Sequence, residues 1–99
     1  MDRREKGKHM ATTIKDKIAA GARIIDVRST AEFADGAYPG AINIPLHVLP
    51  LKMNELGPKD APIVLYCASG ARSGQGMRLL KQNGFTDVVN AGGLDDMPE

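Results

Sequence analysis

The sequence predicts an α/β fold, with a parallel sheet of at least four strands flanked by helices on both faces. Three observations carry this. Short apolar runs rich in β-formers alternate along the chain with helix-like segments. One run, Ile63-Val64-Leu65-Tyr66, is apolar at every position, which suits a strand covered on both sides. Glycine and proline mark the boundaries between the runs.

In chain order, residues 1–10 are mostly charged and aperiodic. They are expected to be a disordered tail or a cloning remnant, with one domain over 11–99. Thr12 or Thr13 caps a helix through Ala20, with Ile14 and Ile18 on one face and Gly21 as its end. Arg23 to Val27 reads as a strand. Ser29-Thr30-Ala31-Glu32 fits a capping box and opens a short helix that Gly36 closes. Pro39-Gly40 is a turn, and Ala41 to Ile44 is a short strand ended by Pro45. Leu46 to Leu56 is apolar and irregular, with Pro50 breaking any long helix. The Ile63–Tyr66 strand follows, then a small-residue loop and a helix from Ser73. Gly76, Met77 and Leu80 share one face of that helix, Gly84 stops it, and Phe85 folds back over its last turn. Thr86 to Val89 is the last strand.

Composition narrows the function classes. A chain of 99 residues can bury one modest core. Thirteen basic against twelve acidic residues leave a net charge of +1, which points to neither nucleic acid nor a membrane surface. A single cysteine excludes an internal disulfide and any multi-cysteine metal site, so no metal or cofactor is expected. No apolar run is long enough to span a bilayer, and no apolar core backs the N-terminal charges. A soluble cytoplasmic protein is the expectation.

The single cysteine, Cys67, stands where the apolar run stops. Ala68, Ser69, Gly70 and Ala71 are small enough for the backbone to curl around a central group, and Gly70 can adopt a positive φ. The following helix brings unpaired N–H groups and the positive end of its dipole to the same place. A thiol there is lowered from about 8.5 into a range of roughly 3.5–7.5, giving an ionised, partly exposed nucleophile. The alternative is an inert cysteine buried at a strand end. Ligands in open parallel sheets bind beyond the carboxyl ends of strands, and Asp26-Val27-Arg28 ends another strand at that same edge.

Cys67-Ala68-Ser69-Gly70-Ala71-Arg72-Ser73 resembles the active-site loop of the rhodanese sulfurtransferases. Asp26-Val27-Arg28 with Glu32-Phe33 is similar to that family's first signature, and Pro39-Gly40-Ala41-Ile42-Asn43-Ile44-Pro45 to its second. Asn90-Ala91-Gly92-Gly93 resembles the segment near its C-terminus. The match runs from Ile24 to Gly93. It implies a rhodanese-like fold whose usual sheet has five strands, so a fifth would lie near Ala11 or be missing.

The resemblance also implies a chemistry. Cys67 attacks the outer sulfur of a donor such as thiosulfate, forms a persulfide, and passes that sulfur to cyanide or a thiol. The N–H groups of Ala68, Ser69, Gly70, Ala71 and Arg72 would hold the anion. Arg72 would grip a sulfonate, its alternatives being a solvated side chain or an ion pair. Ser73 caps the helix or lends its hydroxyl to the pocket, capping being the simpler role. Asp26, Arg28 and Glu32 are supporting residues. Asp26 ties down backbone or pairs with a base, and Arg28 and Glu32, four apart, form a local ion pair. His9 and His47 have no visible partner.

Spacing removes other enzymes. A thioredoxin-type centre needs a second cysteine at Gly70, and a phosphate-binding P-loop needs a Gly-Lys-Ser/Thr that is absent. Related phosphatases place arginine six positions after the cysteine, where this chain has Ser73. Ala37 and Tyr38 replace a usual histidine and aliphatic residue, and Met97 replaces a common tryptophan. Two other readings stay open: a persulfide sulfur carrier serving a relay partner, and a non-enzymatic module on the same fold.

Overall fold

The computed structural model describes residues 13–99. The expected tail over 1–10, a cap at Thr12 and a strand near Ala11 fall outside the described residues. Helix α1 covers 13–19. It is followed by β1 (Arg23–Asp26), α2 (Thr30–Ala34), β2 (Ile42–Asn43), α3 (Leu49–Lys52), β3 (Ile63–Cys67), α4 (Ala71–Gln82) and β4 (Val88–Gly93). Single 3-10 turns, Met53–Glu55 and Leu94–Asp96, follow α3 and β4. Among the described residues, no helix is long and apolar enough to cross a membrane.

All four strands are parallel, in the order β2-β1-β3-β4. From β1 the chain moves outward to β2 on one side, then returns to build β3 and β4 on the other. The connections therefore diverge between β1 and β3, the point of an open α/β sheet where a crevice forms at the strand ends. Asp26 pairs with Tyr66 across this point, which sets Asp26 and Cys67 on adjacent strand ends.

β3 is buried at all five positions because both of its faces are covered. Ile63, Leu65 and Cys67 face a cluster with Ile25, Leu49, Leu56, Leu80 and Phe85. Val64 and Tyr66 face a second cluster with Ile14, Ile24, Ala91 and Met97. Met97, at the position of the missing tryptophan, is only 7% exposed and fills that wall. α4 lies close to the sheet because Gly76 has no side chain; a Cβ there would stand 3.3 Å from both Leu49 and Leu65. The helix ends as expected in a Schellman turn. Gly84, at φ +93°, donates to Lys81 O, and the Phe85 N–H donates back to Leu80 O at 3.0 Å.

Several boundaries differ from expectation. α4 begins at Ala71, two residues before Ser73, because Gly70 at φ +96° turns the chain directly into the helix. Pro50 sits in the first turn of α3, where its missing N–H has no helical partner to lose. β4 runs to Gly93, four residues past Val89. Asn90 and the two glycines look like loop residues by propensity, yet Leu65 pairs with Asn90 and Cys67 with Gly93. The extra residue on β4 is a bulge, with Gly92 at φ +97°.

Gly93 is where β4 meets the loop after β3. A Cβ at Gly93 would lie 2.3 Å from Ala68 O. Gly93→Ala is therefore expected to lower stability by about 1–3 kcal/mol through overpacking, read as a lower urea midpoint. An unchanged midpoint would show that the two segments part freely.

Candidate active site

Cys67 ends β3, and its sulfur turns back under the loop that follows. The Gly70 N–H donates to Cys67 Sγ at 2.9 Å and the Ser73 N–H at 3.5 Å. Gly70 occupies the N-cap position of α4 and has no side chain to accept a first-turn N–H. Ser73 is the third residue of that helix, the position whose amide an N-cap side chain normally takes. The sulfur takes it instead. The sequence predicts a partly exposed thiol, whereas Cys67 is 0% exposed, because the loop and the first turn of α4 close over it. The donors are Gly70 and Ser73, with a contribution from Ser69, rather than the whole run from Ala68 to Arg72.

Burial pushes the Cys67 thiol up. The Ser73 hydroxyl and the amides of Ser73, Ser69 and Gly70 outweigh it and hold the pKa down at about 7. Part of the sulfur is then anionic at neutral pH, and the helix N-terminus favours that form.

Ser73 does not cap the helix with its hydroxyl. Its Oγ lies 3.3 Å from Cys67 Sγ and 2.6 Å from Asn90 Oδ1, and the residue is fully buried. A hydroxyl has one proton, so it serves the thiolate or the amide oxygen, not both. Asn90 fixes the rest of the arrangement. Its Nδ2 donates to Gly70 O at 3.0 Å, and its Oδ1 accepts the Gly92 N–H at 2.9 Å. Asn90 thus joins the loop, α4 and the bulge of β4. No role for Asn90 follows from the sequence, where a polar residue inside an apolar strand is the one local signal it leaves.

Asp26 pairs with a base as expected, but the expected local pair between Arg28 and Glu32 does not form. Arg28 does not reach Glu32. Its Nε and Nη2 bind the fully buried Asp26 carboxylate at 2.7–3.1 Å, and Nη2 also donates to Gly36 O. The guanidinium stands 5.6 Å from the Tyr66 ring centre. Asn43 Nδ2 donates to the carbonyls of Asp26 and Arg28, tying β2 to this corner. Glu32 completes the expected capping box with Ser29 and also reaches α4. There Arg72 Nη1 and Nη2 donate to its two oxygens at 2.7 and 3.0 Å. The ion-pair alternative for Arg72 is the one observed. Arg72, first of all, with the Ser29 amide behind it, holds the Glu32 carboxyl down at about 2.

Ala68, Ser69 and Ala71 lie exposed on the loop, and His47 is exposed after β2. Among the described residues no group of three His, Cys, Asp or Glu could hold a metal ion. A cleft of about 350 Å³ lined by Met53, Asn54, Gly57, Lys59, Asn83 and Phe85 is separate from the site. It lies at the far end of α4, about 18 Å away by helical rise over its length.

Comparison with known proteins now bears on this geometry. A family model described as a rhodanese-like domain matches residues 10–97. The chain belongs to the rhodanese-like domain family. A sulfurtransferase of Allochromatium vinosum is 44% identical over 70 residues, which are 71% of this chain and 64% of that protein. The thiosulfate sulfurtransferase PspE of Escherichia coli is 37% identical over 81 residues, 81% of this chain and 78% of its own. A solved structure described as a rhodanese with anions from E. coli superposes with a TM-score of 0.70 at 36% identity, covering 79% of this chain and 95% of that one. The rhodanese-like fold expected from the motifs is thus the observed fold.

Two outcomes follow from the site. In Ser73→Ala the apparent pKa of Cys67, read from the pH dependence of iodoacetamide alkylation, is expected to rise from about 7 toward its ordinary value of about 8.5. An unmoved profile would leave the hydroxyl no part in charging the sulfur. Glu32 has its pKa lowered in the fold, so its stabilising effect is present above pH 4.5 and fades as the pH falls toward 2. The thermal midpoint gap between wild type and Glu32→Gln is expected to narrow from about pH 6 to about pH 3.

Proposed function

We propose that this protein is a sulfurtransferase that works through a persulfide on Cys67. The observation that carries the proposal is the Cys67 sulfur, met by the Gly70 and Ser73 amides and by the Ser73 hydroxyl, which favour its thiolate form. The names of its relatives support the reaction class.

In the first half-reaction the thiolate attacks the outer sulfur of a donor such as thiosulfate or a persulfide. The donor's S–S bond breaks, sulfite or a thiolate leaves, and Cys67 carries the outer sulfur. In the second, cyanide or a thiol attacks that outer sulfur and Cys67 returns as thiolate. No net oxidation occurs, so no cofactor is needed. Ala68, Ser69, Gly70 and Ala71 form the loop around the transferred sulfur. Ser73 and Asn90 set the charge and position of Cys67. Asp26 and Arg28 hold the strand end beneath, and Glu32 and Arg72 form the rim. A protein relay partner is an acceptor of the same chemical kind.

Incubation with thiosulfate and cyanide is expected to yield thiocyanate, and Cys67→Ser to abolish it. Intact-mass measurement after the donor alone should show one added sulfur atom on wild type and none on the variant. Turnover that survives Cys67→Ser would reject the mechanism.

A further inference from the structure

Two of the charged pairs at the rim of the Cys67 loop are closed, Arg28 with Asp26 and Arg72 with Glu32. Arg72 is the only basic side chain between Cys67 and Ser73. Both arms of its guanidinium fork are taken by Glu32, and the two side chains are 38% and 36% exposed. Arg28 is committed to Asp26 and Gly36 and is 7% exposed. On the other side of the loop, the exposed Asp96 accepts the Gly93 N–H at 2.8 Å, and Gly93 abuts Ala68. Asp26 and Glu32 therefore offset Arg28 and Arg72, Asp96 and the thiolate add negative charge, and Arg78 lies further along α4, with Nη1 3.7 Å from the Cβ position of Gly74.

The Glu32–Arg72 pair also has a telling position. Glu32 belongs to α2, after β1, and Arg72 to α4, after β3. The pair bridges the two connections that diverge between β1 and β3, the place where open α/β sheets bind ligands. A donor with a charged oxyanion end must break two charge-assisted hydrogen bonds to reach Arg72, or approach without it.

We infer that Glu32 determines donor specificity, steering the site away from dianionic thiosulfate toward sulfane-sulfur donors whose non-transferred end is uncharged, such as organic hydropersulfides. This rests on the sulfur-transfer function proposed above. With such a donor, R–S–SH, the Cys67 thiolate attacks the outer sulfur, the S–S bond breaks, R–S⁻ leaves, and Cys67–S–SH remains. Charge and electrons balance without an oxidant.

The test compares thiosulfate with methanethiosulfonate, whose sulfonyl end is uncharged, using cyanide as acceptor. Taking kcat/KM for each donor and comparing variants cancels the intrinsic difference in leaving groups. Glu32→Gln keeps an oxygen for the Ser29 amide. It is expected to raise the thiosulfate-to-methanethiosulfonate ratio about tenfold through a lower thiosulfate KM. Adding Arg72→Gln should return the ratio to the wild-type value. In wild type alone, sulfate should not slow alkylation of Cys67 by iodoacetamide. A ratio unmoved by Glu32→Gln while both donors turn over, or protection of wild type by sulfate, overturns the inference and leaves the sulfur-transfer function standing. Failure of wild type to turn over either donor overturns both.

Discussion

The contact on which the site depends is a sulfur atom standing in for a helix cap. The N-cap of α4, Gly70, has no side chain, so the first-turn amides need an acceptor from elsewhere. Cys67 Sγ supplies it from the end of the preceding strand. Helix and nucleophile then stabilise one another: the amides favour the thiolate, and the thiolate satisfies the amides. Because the folded pKa lies below the ordinary value of about 8.5, this stabilisation is full above that pH and is lost as the pH falls through about 7. Gly70 makes the geometry reachable, since its φ of +96° is one that a side chain resists.

Two carboxylate–guanidinium pairs frame this centre, and their surroundings give them different work. Asp26 is fully buried, and removing either partner would leave an uncompensated charge in the interior, at about 3–5 kcal/mol. That pair, with Asn43 and the Tyr66 ring, fixes the corner where β1 ends. Glu32 and Arg72 are a third exposed and face screening water. Their contribution lies less in stability than in which cation the mouth can offer. The sheet places both pairs at the same edge because β1 and β3 are direct neighbours.

Much of this was legible in the residues. The apolar run of β3, the capping box at Ser29 and Glu32, the Gly84 stop and the position of Cys67 are local patterns, and local rules recover them. The wrong assignments share one cause. Glu32 pairs with a residue forty positions away rather than four, and Ser73 reaches Asn90 seventeen positions on. No local rule carries such contacts. β4 was cut short for a related reason: glycine and asparagine are poor strand formers alone, and only the approach of Ala68 to Gly93 explains why they are needed. Burial of Cys67, one of the two readings open from the sequence, follows from the packing of the loop and α4 over it, which no local pattern encodes.

The outer strands of this sheet differ in how they present unpaired backbone. β2 pairs over two residues only and is followed at once by Pro45. β4 is longer, and among the described residues no strand pairs with its outer side, where its bulge and the positive φ of Gly92 break the regular spacing. A second chain would find little straight template on either side to extend. The distortion that places Asn90 beside the sulfur thereby also makes this side of the described sheet a poor template for strand addition.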